Sequence, residues 1–115
     1  MPTIDALAER LSSYLEPEQI NQVCRAYHYA EQAHEGQYRR SGDPYIIHPL
    51  AVANILSQMH MDPQSLIAAM LHDVIEDTAV PKDALVQQFG ETVTELVDGV
   101  SKLTHIKFGS QEEKQ

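Results

Sequence analysis

The chain has 115 residues, of which 43% are hydrophobic and 22% are charged, values that favour one folded soluble domain over a disordered chain. Eight Lys and Arg against seventeen Asp and Glu give a net charge of −9, which argues against sequence-independent binding to nucleic acid and requires local cations for any anionic substrate. The single cysteine, Cys24, excludes an intrachain disulfide and a CxxC metal site, so a bound metal would have histidine and carboxylate ligands.

Apolar residues recur at spacings of three and four along the whole chain, and no β-branched run alternates with polar residues, which predicts an all-α fold. Six helices are predicted, approximately over residues 4–14, 17–35, 49–60, 63–77, 81–89 and 91–103. Thr3 and Asp62 are the predicted N-caps of the first and fourth helices, and Gly90 is predicted to end the fifth. The polar residues 109–115 need not be ordered.

The apolar positions on one side of each helix are expected to form the core. In the first two helices they are Leu7, Leu11, Tyr14 or Leu15, Ile20, Val23, Tyr27 and Ala30. In the next two they are Val52, Ile55, Leu56, Met59, Leu66, Ile67, Met70, Leu71 and Val74. These positions follow the helical repeat, so they predict a bundle packed around one core.

An irregular segment, GQYRRSGDPY at residues 36–45, separates the second and third predicted helices. It holds the only adjacent cations of the chain, Arg39 and Arg40, beside Tyr38 and Tyr45. Guanidinium groups bind phosphate through paired donors and stack on the faces of bases. The segment is therefore either a solvated turn or an anion clamp with aromatic neighbours.

The fourth predicted helix ends in HDVIED, which places a histidine and three carboxylates within six residues. At about 100° per residue, one face of a continuous helix carries all four side chains, His72, Asp73, Glu76 and Asp77. Ser65 and Ala69 fall on the same side and leave room for a ligand. The cluster is either the wet face of an amphipathic helix or a metal site, since three carboxylates at the negative end of a helix are unfavourable without a cation.

A second histidine, His48, precedes Pro49 and is therefore predicted to lie in extended conformation at the N-cap of the third helix. The positive helix end would keep its ring neutral and able to bind metal, although a histidine that merely ends a turn is the simpler alternative. With His72 and Asp73 it supplies two imidazoles and one carboxylate, a set suited to manganese, iron or zinc. Non-haem iron oxygenases use the same set, typically in β-barrels that this sequence does not offer. The other histidines, expected at the surface or in local caps, are His28, His34, His60 and His105.

Three stretches, in order, resemble the amino-terminal hydrolase domain of the RelA/SpoT homologue family, a branch of the HD phosphohydrolase superfamily. They are AHEGQYRRSGDPYIIHP at 33–49, AMLHDVIEDT at 69–78, and FG at 89–90 through VDGVSKLT at 97–104. The resemblance implies a helical HD-domain bundle that uses Mn²⁺ to remove the 3′-pyrophosphate of guanosine tetraphosphate and pentaphosphate, messengers of the bacterial stringent response. The products would be GDP or GTP and pyrophosphate. The presence of the His-Asp pair favours the hydrolase over family members that only synthesise the messenger.

The resemblance also implies roles for individual residues. The metal ligands correspond to His48, His72 and Asp73, and the acidic pair that activates the attacking water corresponds to Glu76 and Asp77. The nucleotide-binding residues correspond to Arg39, which packs on guanine, and to Arg40 and Ser41 beside the phosphates. Together these positions would bring a polyanion to a metal in an otherwise acidic protein.

By the same resemblance, residues 1–115 are expected to be the amino-terminal part of the domain, incomplete on its C-terminal side. The family's fourth metal ligand is an aspartate near a later Arg-Leu-His-Asn segment, and Asp98 does not match it by context. The synthetase and regulatory domains of the family are likewise absent. We therefore expect these residues alone to bind metal weakly or to catalyse poorly, although Asp77 or water could fill a coordination position.

Two further interpretations stay open: an HD phosphohydrolase of another nucleotide, and a non-catalytic interaction fragment. The expected partner is the guanosine messenger, with no direct contact to nucleic acid. No membrane association is expected, because the longest uncharged apolar run, Ser65 to Leu71, is far shorter than the ~20 residues that span a bilayer. The expected location is the cytoplasm of a bacterium. An incomplete domain could also self-associate through exposed apolar surface.

Overall fold

The structure, a computed structural model, describes residues 3–100, and all regular elements in that range are helices. They are α1 (Ile4–Leu11), α2 (Pro17–Ala33), α3 (Ile47–Gln58), α4 (Pro63–Leu71), α5 (Val74–Asp77) and α6 (Lys82–Phe89). Residues 91–100 are also helical and are called α7 here. The predicted all-α fold is confirmed. Among the described residues, no helix combines the length and apolar character needed to cross a membrane.

The helix ends follow the predicted capping residues. Thr3 Oγ1 accepts a hydrogen bond from the backbone N–H of Ala6 at 3.1 Å, which caps α1. Asp62 Oδ2 accepts one from Ser65 N–H at 3.0 Å, which caps α4. Gly90 ends α6 with a φ of 90°, a backbone conformation that glycine adopts without strain. These ends were predictable because each depends on local chemistry only.

α1 ends at Leu11, three residues before the predicted end at Tyr14. The hydroxyls of Ser12 and Ser13 each donate to a backbone carbonyl three residues back, at 2.5 and 2.8 Å. The backbone N–H groups of Ser12 and Ser13 also donate to the carbonyls three residues back, at 3.2 and 3.3 Å. Local serine bonds of this kind compete with the helical pattern, so the chain turns earlier than its apolar spacing indicates.

α4 is the central helix of the bundle, since every residue from Leu66 to Leu71 is buried and the helix packs against both α2 and α3. The predicted core is confirmed for Leu7, Leu11, Val23, Tyr27, Ala30, Leu66, Ile67, Met70, Leu71 and Val74. Ile20, Tyr14 and Leu15 pack against that core while partly exposed. The chain that follows Leu71 reaches the surface gradually, since His72 and Val74 are still buried whereas Glu76 and Asp77 are exposed.

The predicted core face of α3 is wrong for Ile55 and Met59, whereas Leu56 packs against the core while partly exposed. Of its four members, Ile55 and Met59 are 57% and 65% exposed, and the other two are half-buried. The residues of this helix that are buried are Pro49, Leu50, Ala53 and Ser57. Because α3 is apolar on most sides, its spacing fits two faces equally well. The structure resolves the choice: α3 packs against α4, and its buried face includes the small residues Ala53 and Ser57, which permit close approach of a neighbouring helix.

α3 also begins two residues earlier than predicted, at Ile47, so His48 is helical and not extended. The backbone N–H groups of Ile47 and His48 donate to the carbonyls of Pro44 and Tyr45 at 3.1 and 3.0 Å. These bonds outweigh the preference of a residue before proline for extended backbone. Pro49 fits the first turn, where a backbone N–H has no partner inside the helix.

The predicted fourth helix is divided into α4 and α5 by a turn at His72 and Asp73. His72 Nδ1 lies 2.5 Å from the carbonyl oxygen of Ala69, the acceptor that the backbone N–H of Asp73 would use in a continuous helix. Asp73 instead precedes α5, with φ −97° and ψ −1°. The prediction of one continuous helix with all four side chains on one face is therefore wrong. The argument that three carboxylates at the negative end of that helix need a cation is wrong for the same reason.

Candidate metal centre

Three side chains from two parts of the fold converge at one point. His48 comes from the first turn of α3, and His72 and Asp73 come from the turn between α4 and α5. Asp73 Oδ2 lies 3.1 Å from His72 Nε2 and 3.9 Å from His48 Nε2. One donor atom from each residue lies within 4.8 Å of the other two. Two imidazoles and one carboxylate at these separations could hold a divalent cation.

His72 is buried, and its ring is oriented by a main-chain contact. The carbonyl oxygen of Ala69 can only accept, so Nδ1 carries a proton and Nε2 faces Asp73. Burial alone would lower the pKa of His72, but the bonds to Asp73 and to the Ala69 carbonyl raise that pKa above its ordinary value. A cation at this position would therefore compete with a proton on Nε2.

Asp73 and His48 have the charge states that a metal ligand needs. Burial alone would raise the pKa of the Asp73 carboxyl, but the hydrogen bonds and charge of His72 and the bond from Tyr45 lower it, so the group stays ionised. The pKa of His48 is lowered, first by burial and then by the positive charge of Arg39. His48 is therefore neutral near pH 7, with a lone pair available for a cation.

Tyr45 joins the acidic side chains of the site. Its hydroxyl lies 2.7 Å from Asp73 Oδ2 and 3.0 Å from Asp77 Oδ2. Burial and both carboxylates strongly raise the pKa of Tyr45, which keeps the hydroxyl protonated and able to donate. The sequence identified Tyr45 only as an aromatic neighbour of the arginines. Tyr45 precedes His48 by three residues at the start of α3, which places the two side chains on the same side of the chain. This spacing was the only sequence feature that pointed to a place for Tyr45 near the site.

The two predicted catalytic acids have different surroundings. Asp77 is exposed but lies within the hydrogen-bonding network of the site through Tyr45. Glu76 is also exposed, and no hydrogen bond or ion pair to it occurs among residues 3–100. The structure thus brings Asp77 to the three converging side chains and leaves Glu76 facing solvent.

The cationic segment forms a tight loop beside this network. The backbone N–H of Arg39 donates to the Asp43 carbonyl at 2.9 Å, and Ser41 Oγ donates to Asp43 Oδ2 at 3.0 Å. Arg39, Arg40 and Ser41 line an open pocket of about 630 Å³ together with Tyr45. Within the described part of the chain, neither guanidinium forms an ion pair. With two guanidinium groups and one carboxylate, Asp43, in its lining, the pocket offers an excess of positive charge next to Tyr45, which contacts Asp73.

A second cavity, of about 410 Å³, opens on the other side of the histidines. Its walls include His48, His72, Ser65 and Ala69, and the rest of its lining is apolar. The sequence placed Ser65 and Ala69 beside the cluster with room for a ligand, and the cavity is at that position. The two histidines thus lie between this apolar cavity and the network of acidic side chains.

His34 has more contacts than the sequence suggested. It follows the last residue of α2, one of the positions expected for it, but it is also buried with 2% exposure. Its Nδ1 lies 3.1 Å from Gln37 Oε1, and its ring stacks on Tyr45 with centroids 4.5 Å apart. No sequence pattern distinguished this histidine or Gln37 from ordinary polar residues. His34 contacts Tyr45 through ring stacking, and the backbone carbonyl of Gln37 accepts a hydrogen bond from the Tyr45 N–H.

The remaining histidines lie away from the candidate centre or outside the described residues. His28 is exposed beside Glu31, and His60 is exposed and stacks on Tyr14. His105 lies beyond residue 100, as do the end of the sixth predicted helix and residues 109–115. The expected surface positions of His28 and His60 are confirmed.

Comparison with known proteins gives consistent matches. A family model described as HD domain matches residues 26–115. Over all 115 residues, the chain is 51% identical to guanosine-3′,5′-bis(diphosphate) 3′-pyrophosphohydrolase of Vibrio cholerae serotype O1 and 49% identical to bifunctional (p)ppGpp synthase/hydrolase SpoT of Escherichia coli K12. Over 95 residues, 83% of the chain, it is 53% identical to GTP pyrophosphokinase of Streptomyces coelicolor. The chain spans only 16%, 16% and 11% of these relatives, respectively.

Proposed function

Because the chain belongs to the HD domain family, we propose that it is the amino-terminal part of a domain that removes the 3′-pyrophosphate from guanosine tetraphosphate and pentaphosphate. The observation that carries this proposal is the convergence of His48, His72 and Asp73 beside a cationic loop. The Vibrio cholerae relative, identical at half of the positions, bears the name of this reaction. The products are GDP or GTP and pyrophosphate.

We assign a Mn²⁺ site to His48, His72 and Asp73. The donor set fits, since neutral imidazoles and an ionised carboxylate are ligands for manganese, iron or zinc, and the resemblance favours manganese. When bound, the cation lowers the pKa of a water and polarises the phosphorus centre under attack. The contact of His72 Nδ1 with a backbone carbonyl and the bond from Tyr45 to Asp73 hold two ligands in orientation.

The other assigned residues bind the substrate and accept a proton. Arg39 stacks on the guanine, while Arg40 and Ser41 donate to phosphate oxygens from the open loop. Asp77 and Glu76 accept a proton from the attacking water, which is general-base catalysis by a carboxylate. Asp77 has the better defined place, since Tyr45 holds it, whereas Glu76 faces solvent and is free to meet a bound water.

The site is completed, in this proposal, by an aspartate that follows the 115 residues. The experiment therefore compares the chain with a version extended by the corresponding downstream region of the Escherichia coli relative. We expect the extended chain to release pyrophosphate from guanosine tetraphosphate with manganese, and its His72→Ala variant to lose this activity. Equal release by both would contradict the metal assignment.

The same assay separates the competing proposals. Release of phosphate or pyrophosphate only from other nucleotides would favour an HD phosphohydrolase of different specificity. Binding of guanosine tetraphosphate without turnover in the extended chain would favour a non-catalytic interaction fragment. His28→Ala is the matched control, since it removes an exposed imidazole away from the candidate centre. That variant should keep the activity of the extended chain.

A further inference from the structure

One phenolic hydroxyl lies between two carboxylates of the proposed site. Tyr45 Oη approaches Asp73 Oδ2 at 2.7 Å and Asp77 Oδ2 at 3.0 Å. The same Asp73 oxygen is the one that faces both histidines, at 3.1 and 3.9 Å. The hydroxyl has one proton, which the two carboxylates share, and it contacts the Asp73 oxygen that faces the imidazole nitrogens.

The ring of Tyr45 is itself held in place. Its backbone N–H donates to the carbonyl of Gln37 at 2.9 Å, which closes the cationic loop at its base. The ring stacks on the buried His34, with centroids 4.5 Å apart and planes inclined by 29°. A hydroxyl on a ring supported in this way reaches the carboxylates from a defined position.

A second contact ties the same segment to α5. Gln37 Nε2 donates to the backbone carbonyl of Asp77 at 2.7 Å, and Gln37 Oε1 faces His34 Nδ1 at 3.1 Å. These contacts place the His34 proton on Nδ1. The buried Nε2, which has no hydrogen-bond partner among residues 3–100, is then an acceptor, which costs less than an unpaired donor. Gln37 binds the main chain of α5 and Tyr45 binds its side chains.

From this geometry we infer that Tyr45 is a positioning residue of the proposed centre. Its hydroxyl orients Asp73 for the cation and Asp77 for proton transfer, while the segment that carries it also carries Arg39, Arg40 and Ser41. Tyr45 acts through the two carboxylates. The inference rests on the proposed function and adds a residue to it, because it links the cationic loop to the acidic side chains.

The test compares Tyr45→Phe with Tyr14→Phe in the 115-residue chain. The control removes a hydroxyl bond of the same kind, from Tyr14 to the Met61 carbonyl at 2.8 Å, at another half-buried tyrosine. Loss of a hydrogen-bond partner that orients a metal ligand weakens metal binding by about 10-fold or more. We therefore expect Mn²⁺ to bind Tyr45→Phe about 10-fold more weakly than the wild type, and Tyr14→Phe to bind it with unchanged affinity.

The melting temperature of the metal-free protein separates positioning from a merely structural role. A structural role would lower the melting temperature of Tyr45→Phe and leave its Mn²⁺ affinity equal to that of the wild type, which would overturn the inference alone. A wild-type chain that binds no Mn²⁺ would overturn the metal assignment and the inference with it.

A measurement on the unmodified protein covers the case in which Tyr45→Phe does not fold. Tyrosine Cζ is labelled with carbon-13, and the wild type is titrated with Zn²⁺, a diamagnetic ion that takes the same ligand types. Binding of the ion to Asp73 changes the acceptor of the Tyr45 hydroxyl, so the Tyr45 resonance should shift and the Tyr14 resonance should not. A Tyr45 resonance that stays in place at saturation would overturn the inference.

Discussion

At the residue scale, the candidate centre depends on two histidines whose pKa values are shifted in opposite directions. His72 lies against Asp73 and a main-chain carbonyl, which together raise its pKa despite burial. His48 is half-buried near Arg39, and its pKa is lowered first by burial and then by that positive charge. A cation therefore competes with a proton more strongly at His72 than at His48. Metal binding should be sensitive to pH through His72 first.

The first prediction concerns this pH dependence. Mn²⁺ affinity should fall as the pH falls through the raised pKa of His72, by up to about tenfold per pH unit for each displaced proton. His48, with its lowered pKa, should add to the loss only at more acidic pH. Titrations of the chain with Mn²⁺ from mildly alkaline to mildly acidic buffer measure the slope. An affinity that is constant across this range would contradict the assignment of the histidines as ligands.

The second prediction concerns Glu76. In the extended chain, Glu76→Gln keeps the shape of the side chain but removes its basic oxygen, so hydrolysis should fall by ~10²-fold or more. Manganese content should stay at that of the parent protein, because the exposed Glu76 side chain forms no hydrogen bond or ion pair with the three assigned ligands. Turnover of guanosine tetraphosphate and metal content are measured on the same samples. Hydrolysis at close to the parental rate would mean that Glu76 only covers an exposed helix end.

At the scale of elements, the loop between α2 and α3 and the turn between α4 and α5 matter more than the long helices. The loop carries the arginines and Tyr45, and the turn carries His72 and Asp73. α4 is buried from Leu66 to Leu71, and α5 is a single turn that buries Val74 and exposes Glu76 and Asp77. The helices determine where the loop and the turn meet. The side chains of the loop and the turn include the proposed metal ligands His72 and Asp73 and the proposed nucleotide-binding arginines.

The third prediction separates binding from folding in the loop. Arg39 is exposed, and loop cations contribute little to stability, so Arg39→Ala should leave the melting temperature nearly unchanged. Equilibrium binding of guanosine tetraphosphate to the metal-free extended chain should weaken by about tenfold, the effect of losing one guanidinium–aromatic stacking contact. Arg10→Ala, an exposed cation on α1, is the control. A large loss of stability with unchanged affinity would refute the binding role.

The fourth prediction tests the buried face of α3. Leu50→Ala should reduce the free energy of unfolding by about 2–5 kcal/mol, because it opens a cavity in the core. Ile55→Ala, at an exposed position of the same helix, should change it by no more than about 0.5 kcal/mol. Chemical denaturation measures both variants. A larger loss of unfolding free energy for Ile55→Ala than for Leu50→Ala would contradict the buried face seen in the structure and support the face predicted from apolar spacing.

At the scale of the whole molecule, the sequence determined what depends on local chemistry. The all-α fold, the caps at Thr3 and Asp62 and the stop at Gly90 all follow from nearby residues. The meeting of His48 with His72 and Asp73 could also be predicted, because each histidine adjoins a helix end and the motifs resemble one family. Local patterns thus indicated both the architecture and the chemical type of the site.

Some features that sequence analysis missed are local: His48 is helical because the turn from Pro44 supplies acceptors three residues back. Others depend on contacts between distant residues, such as the packing of α3 against α4, which buries Leu50, Ala53 and Ser57. The link from Tyr45 to Asp73 and Asp77 spans 28 and 32 residues of sequence. No helical period or capping rule contains such information, so these features appear only once the bundle is assembled.

The central claim is that three side chains form one cation site. The most direct test is a crystal structure of the 115-residue chain grown with Mn²⁺, with anomalous scattering recorded to locate the ion. We predict an anomalous peak bonded to His48 Nε2, His72 Nε2 and a carboxylate oxygen of Asp73. A Mn²⁺ ion bound elsewhere, with these three side chains in contact with no metal at saturating concentration, would contradict the account.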